Sequence, residues 1–171
     1  MKITVCGSTA FREDMEKLRS QLDALGHEVK IPELSLEAPE KFGGGKDFYI
    51  GRYVEENGGI DAFPPHHEIW GLKEAATNDH FEKIGWSDAI LVVNNEKRGV
   101  AGYIGGATLV EIGLAFYLNK PIYILNPISS DLSYKQEIYG MRAILLDGDL
   151  SRLQESRGSA IAKADVAERR A

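Results

Sequence analysis

The chain has a single cysteine, Cys6, which excludes an internal disulfide. No apolar run approaches the roughly 20 residues that a bilayer-spanning helix needs, so a transmembrane protein is not expected. Positive charge is also short. Lysine and arginine number 20 against 26 acidic residues, leaving a formal charge of −6 and a sequence pI near 5.3. That balance supplies no general field for a nucleic acid polymer or an anionic membrane, although it leaves room for a local anion site. Internal repeats are lacking. The start, Met-Lys-Ile-Thr-Val-Cys-Gly, is too poor in apolar residues for a signal peptide and reads as a first strand, so the expected compartment is the cytoplasm. What the chain does have is 171 residues, 43% of them hydrophobic, enough for one domain with a sizeable core.

Strands alternate with helices along the sequence. Ile3 to Cys6 is a short apolar run. From about Arg12 to Leu25, the residues Met15, Leu18, Leu22 and Leu25 share one helical face, and Gly26 is a stop signal. His27 to Ile31 reads as a second strand, Ala89 to Val93 as a continuous apolar strand, Thr108 to Leu118 as a helix, and Pro121 to Leu125 as a further strand. Strand, helix, strand in that order is a βαβ unit, and the architecture it predicts is α/β, a doubly wound parallel sheet. The expected organisation is one domain over residues 1–157 with an irregular insertion at 33–71, then a tail or terminal helix at 158–171. The insertion has no sustained period but carries Phe42, Phe48, Tyr49, Tyr53, Phe63 and Trp70, which a plain linker would lack. It reads as a lid or a partner-contacting segment.

Ligands of open parallel sheets bind at the carboxyl ends of the strands. In this sequence that edge collects Gly7-Ser8-Thr9, Asn94-Asn95, the turn Gly105-Gly106-Ala107-Thr108, and Asn126. Two of these turns are expected to lead directly into helices, whose N-terminal amides attract anions. Arg12, a cation in the first turn of its helix, gains most if an anion lies between it and the dipole. The plainer reading makes Ser8 and Thr9 ordinary caps and Arg12 a solvated charge.

Glu111 is the one carboxylate in the apolar stretch Ala101 to Leu118, and burying it is costly unless something pairs with it or uses it. Two readings are open. Thr108 and Glu111, three apart before an apolar run, form the pattern of a capping box. Alternatively, Glu111 faces a ligand from the first turn of a helix that a glycine-rich turn lets the ligand approach. Tyr103 and Asn94-Asn95 are candidate donors that would keep such a carboxylate ionised. His80 shares a helical stripe with Ala76 and Ile84, which suits either a core histidine or a proton-handling group. Asp79 is either its partner or half of a solvated pair with Lys83. His66, His67 and His80 lack zinc-ligand spacing, and no metal site is expected.

Cys6-Gly7-Ser8 with Arg12-Glu13-Asp14, then Trp86-Ser87-Asp88-Ala89-Ile90, then Glu111-Ile112-Gly113-Leu114-Ala115 together resemble the nucleoside 2-deoxyribosyltransferase family, including its 2'-deoxynucleoside 5'-phosphate N-hydrolase branch. The resemblance runs from about Lys2 to Pro127, outside the insertion. It implies a flavodoxin-like three-layer sandwich, frequently a homodimer, in which Glu111 is the nucleophile attacking the anomeric carbon of a (deoxy)nucleoside or nucleoside 5'-monophosphate. It puts the family's second catalytic carboxylate at His80, next to Asp79, its early positioning tyrosine at Thr4, and a sugar- or phosphate-contacting residue at Gly105. The expected catalytic residues are therefore Glu111, His80 and Asp79. The expected substrate contacts are Gly7, Ser8, Thr9, Arg12, Asn94, Tyr103, Gly105, Gly106 and Thr108. No cofactor or metal is needed for that chemistry. Two alternatives accompany it. Gly-Gly-Ala-Thr-x-x-Glu also resembles, one residue short, the Gly-Gly-x-Gly-Thr-x-x-Glu of lysine-decarboxylase-like phosphoribohydrolases. A nucleotide-sensing module without turnover would use the same turns.

Overall fold

The computed structural model describes residues 1–32, 36–38, 40–42 and 45–153; the expected tail at 158–171 lies outside them. The chain divides into two compact units, residues 1–31 with 84 onward, and Pro32–Lys83.

The first unit is built on five parallel strands: β1 (Lys2–Gly7), β2 (Glu28–Lys30), β5 (Ala89–Val93), β6 (Ile122–Ile124) and β7 (Ile144–Leu145), in the spatial order β2-β1-β5-β6-β7. Counted along this sheet alone the order is 2-1-3-4-5, so the direction of winding reverses between β1 and β5, where ligands of such sheets bind. Alternation along the strands separates two faces. Ile3 and Val5 share a core with Leu91 and Val93 and with Met15, Leu18 and Leu22 of α1 (Arg12–Ala24). Thr4 and Cys6, opposite Ile90 and Val92 in the register, are left for the other face. There α4 (Gly106–Tyr117) packs against β1, β5 and β6 through the buried stripe Thr108, Ile112 and Ala115. Helices thus cover both faces, as the sequence predicts for a doubly wound fold.

Where the helices begin departs from expectation. A 3-10 turn, Thr9–Phe11, stands between Gly7-Ser8 and α1, so that turn does not lead directly into the α-helix. Helix α4 starts at Gly106 with Gly105 as its N-cap and makes no side-chain cap bond. The capping box is therefore not formed. The extended backbone of Gly105 takes the cap position first, which places Thr108 inside the first turn and Glu111 in the second.

The second unit holds an antiparallel pair, β3 (Leu36–Ala38) and β4 (Gly45–Phe48), the helix α2 (Ile50–Glu56), and most of α3 (Ile69–Trp86). The insertion's aromatics make a small core of their own. Phe42, Val54, Phe63 and Ile69 are buried, with Phe48, Tyr53 and Trp70 packed around them. Phe42 meets Tyr53 edge-on at 5.6 Å and Phe63 meets His67 edge-on at 5.0 Å. A short α5 (Lys135–Gly140) belongs to the first unit and buries Ile138.

Candidate active site

Five segments meet at the carboxyl edge of the parallel sheet. Gly7 closes β1 with φ 152°, and a Cβ there would stand 2.7 Å from the Val93 carbonyl oxygen and 2.9 Å from Met15 Cε, so only glycine lets β1 end this close to β5. Ser8 caps the following 3-10 turn, its Oγ accepting from the Ala10 amide at 3.3 Å. The same Oγ accepts from Lys97 Nζ at 2.9 Å. Lys97 opens a tight turn in which Lys97 and Val100 exchange backbone hydrogen bonds and Arg98 and Gly99 both have positive φ, the signature of a type I' turn. The ammonium also lies 5.1 Å from the centre of the Tyr103 ring. A lysine in a loop carries no signal in the sequence; its meaning comes from the topology that sets β1 beside β5. Arg12 is half-buried at the first position of α1, and Thr9 is exposed.

Asn94 is buried and committed to the backbone. Its Nδ2 donates to the Asn126 carbonyl at 2.9 Å and its Oδ1 accepts from the Asn126 amide at 2.8 Å. That exchange locks the end of β5 to the end of β6, so the amide braces the edge. Asn126 Nδ2 donates to Asn95 Oδ1, and Asn95 Nδ2 to Asp14 Oδ2, at 2.9 and 2.6 Å. These bonds tie the brace to α1.

The turn before α4 is shaped by Tyr103, whose phenolic oxygen lies 3.2 Å from where a Gly105 Cβ would stand. A side chain at 105 would displace the ring. Tyr134 donates its hydroxyl to the Ile104 carbonyl. Burial, and then the nearby Tyr103, raise the Tyr134 pKa above its ordinary value.

Glu111 stands beside the buried stripe of α4, three residues after Thr108 and four before Ala115, and is half-buried with Oε2 out of contact with solvent. Cys6, fully buried on β1, reaches it: Sγ and a carboxylate oxygen lie within 4.8 Å of one another. The thiol donates to the Thr4 carbonyl oxygen at 4.0 Å, and its pKa is well above the ordinary value because of burial first and the Glu111 charge second. Strand alternation pairs Cys6 with Thr4 on one face in the sequence, but nothing there names α4 as the element opposite.

His80 and Asp79 lie on α3 in the second unit. His80 is buried, and its pKa falls from 6.5 to about 4 through burial first, then the charge of Lys83, with Asp79 opposing and Lys73 adding. The imidazole is therefore neutral. Asp79 Oδ2 accepts from Lys83 Nζ at 2.6 Å, the four-residue helical pair the spacing suggests. His67 Nδ1 accepts from the Ile69 amide at 3.2 Å, a local bond at the start of α3. Ser87 and Asp88 serve the opposite, amino edge of the sheet. Asp88 Oδ2 accepts from the Lys2 amide at 2.8 Å, and the Ser87 carbonyl accepts from Lys120 Nζ. Among the described residues no helix is long and apolar enough to cross a membrane.

No protein-family model matches the chain, and none of the curated proteins does. Among solved structures the chain is similar to a 2-deoxyribosyltransferase from the psychrotolerant bacterium Bacillus psychrosaccharolyticus, with 18% identity over 78% of this chain and 77% of that one and a TM-score of 0.48. It is also similar to the CMP N-glycosidase BcmB of Clostridium botulinum, with 15% identity over 91% of this chain and 96% of that one and a TM-score of 0.45.

Proposed function

We propose that this protein is an enzyme that cleaves or exchanges the N-glycosidic bond of a (deoxy)nucleoside or nucleoside 5'-monophosphate, with Glu111 as the nucleophile. The observation that carries the reading is the setting of Glu111. The carboxylate stands in the second turn of α4, and the loop that leads into that helix comes from the β1/β5 reversal point. A cap or a solvated charge does not need that position. Attack by one carboxylate oxygen on the anomeric carbon breaks the C–N bond through an oxocarbenium-like state, and the bond's electron pair leaves with the base. Water, or a second base, then takes the sugar from the glycosyl-enzyme.

The remaining residues are given parts by their chemistry. The α4 N-terminus at Gly105-Gly106 offers free amides to an anion, and Ser8, Lys97 and Arg12 add a hydroxyl and two cations. The neutral His80 imidazole, with Asp79, is proposed to handle the leaving base. Pairing of two copies belongs to the same reading, since α4 leaves Val110, Phe116 and Tyr117 exposed.

Incubating the protein with a panel of ribo- and deoxyribonucleosides and their 5'-monophosphates, and scoring free base by chromatography, tests the reading. Release from at least one of them, abolished in Glu111→Gln, is expected. A new nucleoside or nucleotide when a different free base is added identifies a transferase, and release unchanged by the acceptor identifies a hydrolase.

A further inference from the structure

Thr108 is buried on α4 with its hydroxyl unspent. The residue is 3% exposed and belongs, with Ile112 and Ala115, to the stripe that packs against the sheet. A threonine in a helix can return its hydroxyl to the carbonyl three or four residues back. Here the carbonyl four back is that of Ile104, which accepts from the Tyr134 hydroxyl, and the carbonyl three back is that of Gly105, which accepts from the Leu109 amide at 2.9 Å. Thr108 Oγ1 makes no hydrogen bond among the described residues, yet the oxygen is not sealed from solvent. A polar group left unmet in so buried a place is costly unless a ligand supplies its partner.

We propose that Thr108 is a specificity-determining residue whose hydroxyl hydrogen-bonds the 3'-hydroxyl of the substrate's furanose ring. The proposal rests on the glycosidic reading, in which Glu111 attacks the anomeric carbon. Displacing the base in line requires the carboxylate to approach from the face of the sugar opposite the base. In a β-nucleoside the 2'- and 3'-hydroxyls lie on that same face. Thr108 stands three residues before Glu111 on α4, which makes the two side chains neighbours with Cβ atoms about 5–6 Å apart. The 2'-carbon adjoins the reacting centre, where the carboxylate itself sits. The 3'-oxygen is one carbon farther away, which suits a group almost one helical turn from the nucleophile. Threonine and sugar hydroxyls each donate and accept, so the bond satisfies both groups in either direction. Ribose and deoxyribose both carry a 3'-hydroxyl, so the contact orients either sugar and leaves the 2'-position unread.

The test pairs two proteins with two substrates: native protein and Thr108→Val, which keeps the branched shape, against a compound of the panel and its 3'-deoxy counterpart. Removing either hydroxyl should lower kcat/KM about tenfold, and removing the second as well should cost little more. Thr108→Ser, which restores the hydroxyl, should recover most of the loss on the 3'-hydroxyl substrate. Because the hydroxyl is unspent in the fold, Thr108→Val should melt no lower than the native protein. A much lower melting point, equal losses on both substrates, or no loss on either overturns the proposal. A protein that releases no base from any compound overturns the glycosidic reading, and calorimetric titration of the same four combinations then decides the contact. Discrimination between the two ligands that disappears in Thr108→Val upholds it; unchanged discrimination, or no binding at all, overturns it.

Discussion

Lys97 donates from its ammonium to the Ser8 hydroxyl at 2.9 Å, joining the loop after β5 to the turn after β1 across the point where the sheet reverses its winding. The cation is held by a hydroxyl and the face of Tyr103, neither of which neutralises it. An anionic substrate group arriving at this edge would gain a full charge-assisted bond.

The first prediction follows from that pair. Lys97→Gln and Arg12→Ala should each weaken 5'-monophosphate binding by roughly 1.5–3 kcal/mol, the worth of a hydrogen bond to a charged group, and leave unphosphorylated nucleosides nearly unaffected. Calorimetric titration with both ligand classes decides it. Equal loss for both classes would assign the residues to folding, and no loss for either would make the substrate a nucleoside.

The second prediction concerns Glu111. Since α4 is capped by Gly105 with no side-chain cap bond, removing the carboxylate costs no cap. Glu111→Gln should melt within a few degrees of the native protein and lose turnover by at least about a thousandfold. A variant that melts much lower yet turns over normally would make Glu111 a structural residue.

Much of this was legible in the sequence, and the omissions share a cause. Strand β5 was readable to the residue, Ala89–Val93, because a central strand covered by helices on both faces is continuously apolar. The α1 stripe Met15, Leu18, Leu22 was readable from its spacing. Strand β7, two residues long, and the short α5 fall below the length at which a period can be recognised. The start of α4 was misplaced because Thr-x-x-Glu is a local pattern, and the glycine pair before it took the cap position. Lys97 and Cys6 owe their significance to contacts between segments far apart in the chain, to which no local pattern gives access.

The third prediction is a pH dependence. His80 titrates near 4 in the fold against an ordinary 6.5, with burial as the main cause, so the folded state favours the neutral ring. A depressed histidine contributes stability that is complete above 6.5 and is lost as pH falls toward its folded pKa, because the unfolded chain binds the proton first. The loss attributable to His80 between neutral pH and about pH 4 is on the order of 3 kcal/mol. Urea unfolding at the two pH values should show a correspondingly shallower pH dependence in His80→Gln than in the native protein. Identical slopes would mean that His80 binds its proton equally well in the folded and unfolded chain.

The last prediction separates backbone strain from backbone crowding in the loop that carries Lys97. Gly99 and Gly102 both have positive φ, 79° and 70°, so alanine at either position meets the left-handed penalty of about 1–2 kcal/mol. Their surroundings differ. A Cβ at Gly99 would meet nothing within 4 Å, whereas one at Gly102 would stand 2.1 Å from the Pro127 carbonyl oxygen and 2.8 Å from the Ser129 amide nitrogen. Both of those atoms are backbone, in the segment that follows β6 and whose Asn126 is bonded to Asn94, so neither yields by a simple side-chain rotation. Gly99→Ala should therefore lose stability by the strain alone. Gly102→Ala should lose clearly more, with the carboxyl edge pushed apart and catalysis falling along with stability. Thermal melts of the two variants, read side by side, give the cost of the close approach as their difference; equal melting points would mean that the 127–129 backbone moves aside freely and that Gly102 is present only for its φ.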